Sequence, residues 1–198
     1  MEDARKLSDF IDLDLLQSIQ ENCSKAMGLA FIAVDYKGIP ITKYSGFTSH
    51  CMLGRQAKGF AEMCEQCDAH GGLYAAITGQ PYIYRCHAGL VDFAVPLIAN
   101  GSYMGAVLGG QVRLQEESER ELEHILPQRP NWKRDREWEE AYQKLEVVTY
   151  EKVEASVKLL RDIIVTFVEG RTGKGADGVL REKEKQLSEE RAARLDLE

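Results

Sequence analysis

The sequence has no apolar run approaching the roughly 20 residues needed to cross a bilayer. Its opening, Met1–Lys6 (MEDARK), lacks the apolar stretch of a secretory signal. Positive charge is not in excess either: 25 Lys and Arg stand against 32 Asp and Glu, a net charge of −7. Phosphate neutralisation needs clustered Lys and Arg, so neither direct nucleic-acid binding nor membrane insertion is expected. Cysteines number five, an odd count. A cytoplasmic location is expected, and there such cysteines read as thiols or metal ligands before disulfides. What the chain does have is 44% hydrophobic and 29% charged residues over 198 positions, enough for one ordinary domain with an appendage.

The patterning gives an α+β order. Asp12–Met27 reads as a helix, with Leu15, Leu16, Ile19 and Cys23 at helical spacing and Gly28 as its cap. Leu29–Val34 is an apolar strand, and Ile39–Tyr44 reads as its return across a turn at Tyr36-Lys37-Gly38. Phe47–Leu53 reads as a loop. Arg55–Thr78 is mostly helical, with Gly71-Gly72 expected to end one helix and start the next, and Gly79 as a second cap. Tyr82–Cys86, Leu90–Ile98 and Tyr103–Val112 are strands, the last two joined by the tight turn Ala99-Asn100-Gly101-Ser102. Glu116–Leu126 reads as a short acidic helix, with a loop bounded by Pro127 and Pro130 after it.

Asp135–Glu169 is helical over most of its length, with Val153, Val157, Leu160, Ile164 and Phe167 forming one apolar face. Short turns between consecutive strands imply an antiparallel sheet of about five strands flanked by helices. The domain is expected over residues 1–169, and 170–198 as an appendage. Within it, Gly170–Gly178 reads as a flexible linker, and Val179–Glu198 as a charged helix, either solvated or the start of a coiled coil. The apolar face of the long helix either covers its own sheet or in part pairs with a second copy. A homodimer is expected, since symmetric pairing is the commonest oligomer.

The unusual residues cluster. Cys64-Glu65-Gln66-Cys67 is a CxxC, and Cys51 and Cys86 supply two more thiols, with His50, His70 and His87 nearby. Two thiolates at this spacing grip one ion from a single turn of chain, and two more complete a tetrahedral zinc site. The same four thiols suit an iron–sulfur cluster, and the plain alternative is buried, unreactive cysteine. A thioredoxin-like role is disfavoured, because Lys58–Met63 before the CxxC already reads as helix. If Cys86 and His87 both lie on a strand, they point to opposite faces and form no nucleophile–base pair. No other acid–base or nucleophile pair emerges, so no enzyme is expected.

A second constellation is a candidate small-molecule site. Asp92 interrupts an apolar strand on the face of Leu90 and Ala94, opposite Val91, Phe93 and Val95. Polar groups set among apolar strand residues are the usual lining of such a site, and Phe47, Tyr84, Arg85, His87, Asp92 and Gln111 are the candidate ligand-binding residues. The alternative is an Asp92–Arg85 pair that pins a strand end. Gly105, Gly109 and Gly110 weaken the last strand unless a ligand or another backbone comes close. Gly109-Gly110 lacks the Lys and helix of a phosphate loop.

The run TGQPYIYRCHAGLVDFAVPLIANGSYMGAVLGGQV (Thr78–Val112) resembles the PocR-type ligand-sensing domain. The resemblance extends to FTSHC (Phe47–Cys51), CEQCDA (Cys64–Ala69), Gly71-Gly72 and the hairpin LAFIAVDYKGIPIT, and covers about residues 10–170. It implies a PAS-like α+β fold in bacterial signalling proteins, placed ahead of histidine kinase, cyclic-nucleotide or helix-turn-helix outputs. It also implies sensing of simple hydrocarbon derivatives such as small diols. The family's cysteine and histidine motifs match at Cys51, Cys64, Cys86 and His87; Cys67 fits part of the family, many members having Ser there. The resulting expectation is a cytosolic sensor in signal transduction or transcription regulation. It would bind a small organic ligand and signal through the C-terminal helix to an output domain not in this chain. The alternative is a metal- or redox-responsive regulator built on the four cysteines.

Overall fold

The computed structural model describes residues 10–115, 122–126 and 135–171. The element order is α1 (Leu13–Met27), β1 (Ala30–Asp35), α2 (Ser49–Gly54), α3 (Phe60–Thr78), β2 (Tyr82–Arg85), β3 (Val91–Ala99), β4 (Ser102–Leu114), α4 (Arg136–Gln143), β5 (Val147–Val148) and α5 (Tyr150–Arg171). The fold is α+β, with an open sheet in the order β1-β4-β3-β2, antiparallel throughout these four strands. β5 pairs with β4 in parallel, at Arg113 and Leu114 beyond the reach of β1. Among the described residues no helix is long and apolar enough to cross a membrane.

Local chemistry sets most element ends. Asp12 caps α1 by accepting from the Asp14 and Leu15 amides, and Gly28 closes it in the left-handed conformation. Asn100 and Gly101 both have positive φ, the backbone of the two-residue turn that matches strand twist, so β3 and β4 form the expected hairpin.

Elsewhere the structure departs from the sequence reading. Phe47–Leu53 is not a loop throughout: Thr48 caps α2 by accepting from the Cys51 amide. The return of the first hairpin is irregular, touching β1 only through the bridges Phe31–Ser45 and Val34–Pro40. Gly71-Gly72 lies inside one continuous helix, α3. A Cβ at Gly71 would strike the Tyr84 ring, and one at Gly72 would strike Tyr103 and Ala106, so this pair lets the helix lie close on the sheet. Residues 122–126 form no helix; His124 bridges to Arg85. The earlier part of that expected helix and the Pro127–Pro130 loop lie outside the described residues. The expected helix over Asp135–Glu169 is two helices, α4 and α5, with β5 between them, and α5 runs on to Arg171. The Gly-rich segment beyond Arg171 and the charged segment from Val179 also lie outside the described residues.

The sheet separates two cores. On one face Phe31, Ala33, Val91, Phe93, Val95, Leu97 and Val107 pack with Leu16 and Cys23 of α1 and with Val153, Val157, Leu160 and Ile164 of α5. Phe31 and Phe93 meet edge to face, with centroids 5.9 Å apart. The apolar stripe of α5 is therefore buried in the chain's own core, so those four residues are not available to a second copy. On the other face Ile32, Val34, Tyr84, Ala94, Ala106 and Leu108 pack with Cys51, Cys67 and Ala75 of α2 and α3.

The register of β4 shifts between Val91 and Asp92: Val91 opposes Val112, while Asp92 opposes Gly110. Gln111 is the extra residue, with φ 62. One inserted residue reverses the alternation of side chains. Val107 and Val112, of opposite parity, thus both reach the α5 face.

Candidate functional site

A cavity of about 40 Å3 lies on the α3 face of the sheet. A single buried water takes roughly 10–15 Å3 of such space, so the cavity has room for about three. Ile32, Leu108, Phe47 and Phe60 are among its apolar walls. Its chemistry comes from Cys51, Arg55, Cys64, Cys67, Asp68, Cys86, His87, Asp92 and Gln111. Several elements converge here. α2 supplies Cys51 and α3 supplies Cys64, Cys67 and Asp68, which recur at i, i+3 and i+4 on one helix face. β3 and the β4 bulge supply Asp92 and Gln111.

The bulge fixes the sheet side of the cavity. Asp92 Oδ1 accepts from the Gln111 amide at 2.7 Å. Gln111 Oε1 accepts from the Thr48 amide at 2.9 Å and from its hydroxyl at 3.0 Å. Gln111 thus holds a left-handed backbone conformation that non-glycine residues rarely adopt, and its side chain ties the bulge to the α2 cap.

Opposite the bulge, Cys64 Sγ lies 3.3 Å from His87 Nε2. The His87 amide donates to Cys67 Sγ at 3.4 Å, and the Phe60 ring packs edge-on to the imidazole, centroids 4.5 Å apart. Arg55 follows α2, with its guanidinium over the Tyr44 and Phe47 rings, themselves stacked. The buried Arg55 Nε has no hydrogen-bond partner among the described residues.

Burial governs the charges. It pushes Asp92 up to about 6 against the Gln111 amide bond and the Arg55 charge, which favour the anion. It pushes Asp68 well above the usual carboxylate range, with the Asp92 charge adding to the effect. Burial raises the Cys51 and Cys67 thiols to about 12, and Cys64 and Cys86 well above the usual range. The Arg55 charge opposes this at Cys64. The four thiols share the cavity, yet among the described residues no group of three or more His, Cys, Asp or Glu side chains is arranged to hold a metal ion.

The profile of the sensory domain found in PocR matches residues 9–171. The chain belongs to this family. Regulatory protein PocR of Salmonella typhimurium is 38% identical over 154 residues, 78% of this chain and 50% of that protein. The chain thus spans about half the length of this curated relative. No solved structure matches it. Membership of the PocR sensory family supports a sensory, regulatory role.

In this PocR sensory domain, four of the six candidate ligand residues line the cavity: Phe47, His87, Asp92 and Gln111. Tyr84 and Arg85 are outside its lining. Tyr84 is buried against Gly71, and Arg85 Nη1 donates to the Gly89 carbonyl at 3.1 Å. β2 ends at Arg85, so Cys86 and His87 sit in the following turn and both line the cavity; strand alternation does not part them. The histidine that reaches a thiol is His87, and the thiol is Cys64. His50 packs on Trp138 and Tyr142, and His70 is exposed. Cys23 is core, as expected. The sequence reading missed Arg55, Phe60 and Asp68. Asp68 had a signal, a carboxylate four residues from Cys64 and from Gly72 on one helix face. Arg55 had none, since its approach depends on how α2 docks.

Proposed function

We propose that this PocR-family domain binds a small organic molecule, a simple hydrocarbon derivative, in the cavity between α2, α3 and the bulged sheet. The observation that carries this is the wall itself: a space of a few atoms with apolar sides, into which Arg55, Asp92 and the bulge residue Gln111 bring polar groups. That is the lining a compact molecule with one or two oxygens needs.

The signal has a short route. Asp92 faces the cavity, while its neighbours Val91 and Phe93 pack in the α5 core. A ligand that draws on Asp92 or the Gln111 bulge acts on the same strand that seats α5. It shifts the position of α5, and an output domain beyond it, by the difference in its affinity for the two arrangements. This is binding without turnover.

Thermal unfolding with a panel of small alcohols, diols and aldehydes tests the reading. At a hundredfold excess over Kd, a bound ligand stabilises the fold by about 2.7 kcal/mol. Asp92→Ala should remove that stabilisation while the unliganded protein still folds. Full retention in the variant would take Asp92 out of the site.

A further inference from the structure

The structure assigns Cys64 and His87 to a thiol–imidazole pair that we propose captures a small aldehyde covalently and reversibly, as a hemithioacetal. This rests on the cavity being the ligand site and adds the class of ligand it takes.

Cys64 differs from the other three cavity thiols. All four line the cavity, but Cys51, Cys67 and Cys86 are buried, whereas Cys64 is only partly so. It is also the thiol that His87 Nε2 reaches, at 3.3 Å. The imidazole is held in place by the Cys67 contact on its backbone and by the Phe60 ring. A neutral thiol in contact with a ring nitrogen needs no prior ionisation, because the base takes the proton as the sulfur attacks.

The step balances within the site. Cys64 Sγ attacks the carbonyl carbon, and the Sγ–H proton passes to His87 Nε2. The C–S bond forms as the C=O π bond breaks onto oxygen, and that oxygen takes the proton back from Nε2. Thiol plus aldehyde gives hemithioacetal, with no oxidant and no leaving group, and release reverses the path. Arg55 lines the same cavity, and its charge acts on Cys64. That guanidinium charge would favour the oxygen as it gains negative charge.

Size and reversibility select the class. Room for about three waters suits a molecule of about three non-hydrogen atoms, such as acetaldehyde. A sensor must also release its ligand, which addition to a carbonyl allows and alkylation does not.

The test is 13C NMR of the full chain with acetaldehyde labelled at the carbonyl carbon, alongside thermal unfolding with acetaldehyde and with ethanol. The expected result is a protein-bound tetrahedral carbon signal in the wild type and in Cys86→Ala, absent from Cys64→Ala. His87→Gln should keep the signal but slow its formation about 100-fold, an effect that a purely structural histidine would not give. Adduct persisting in Cys64→Ala overturns the proposal. So does a wild type that both compounds stabilise without any adduct, although cavity binding then stands. If neither compound shifts the unfolding temperature, and no adduct forms, the proposal falls; the diol and alcohol panel then decides cavity binding separately. A Cys64 that iodoacetamide modifies only after a chelator is added would assign that thiol to a metal and also overturn it.

Discussion

The two faces of one sheet are built for different purposes. Along β3, Val91, Phe93, Val95 and Leu97 pack in the apolar core with α1 and α5, while Asp92, between two of them, faces a cavity lined by thiols, acids and an arginine. The α5 face has aromatic rings in edge contact. The α3 face carries a bulge, a residue held at positive φ, and two carboxylates whose burial raises their proton affinity. The first arrangement favours stability. The second holds a strained backbone position and buried ionisable groups, the pattern expected where local strain serves function.

The largest effect that would test this contrast is on the α5 side. Leu160 is fully buried there, so Leu160→Ala should cost about 2–5 kcal/mol in denaturant unfolding. Any protein that remains folded should still respond to ligand. A cost under about 1 kcal/mol would mean that α5 is not seated on the sheet as described.

A smaller loss is expected at the α3–sheet contact. Gly71→Ala places a methyl against the Tyr84 ring and should destabilise by about 1–3 kcal/mol. Because α3 carries Cys64, Cys67 and Asp68, the same change should also weaken ligand stabilisation. The α5-face variant should not show that coupling. Equal ligand response in both would erase the functional difference between the faces.

The smallest effect is electrostatic. Asp92 has a folded-state pKa of about 6, above its ordinary value of 3.8. The folded protein therefore holds this proton more tightly than the unfolded chain. The resulting stability is fully present below pH 3.8 and is lost as pH rises through about 6. Asp92→Asn keeps an acceptor for the Gln111 amide and should flatten that part of the stability–pH curve. An unchanged slope would place the titration elsewhere, with Asp68 the next carboxylate to examine.

Much of the architecture was legible from local pattern. The caps Gly28 and Gly79, the hairpin at Asn100-Gly101 and the stripe from Val153 to Ile164 follow from short-range rules, and each is present. Period-2 counting also placed Asp92 opposite Phe93 correctly. The errors fall where distant residues decide. Gly71-Gly72 looks like a break until Tyr84 and Tyr103 are seen to need the space. Thr48 reads as loop until it becomes a cap tied to Gln111, 63 positions away.

What the sequence determined by itself was the family, the α+β order and the crowding of cysteine, histidine and acid into one stretch. These depend on residue types at short spacing. Only the tertiary structure decided that Arg55 joins them, that Tyr84 and Arg85 do not, and that His87 meets Cys64 across 23 positions instead of its neighbour Cys86. The physical reason is the bulge and the close docking of α3. Shifting the strand register by one residue, or withdrawing the helix by the width of a methyl group, would change which side chains meet. No local propensity encodes distances of that kind.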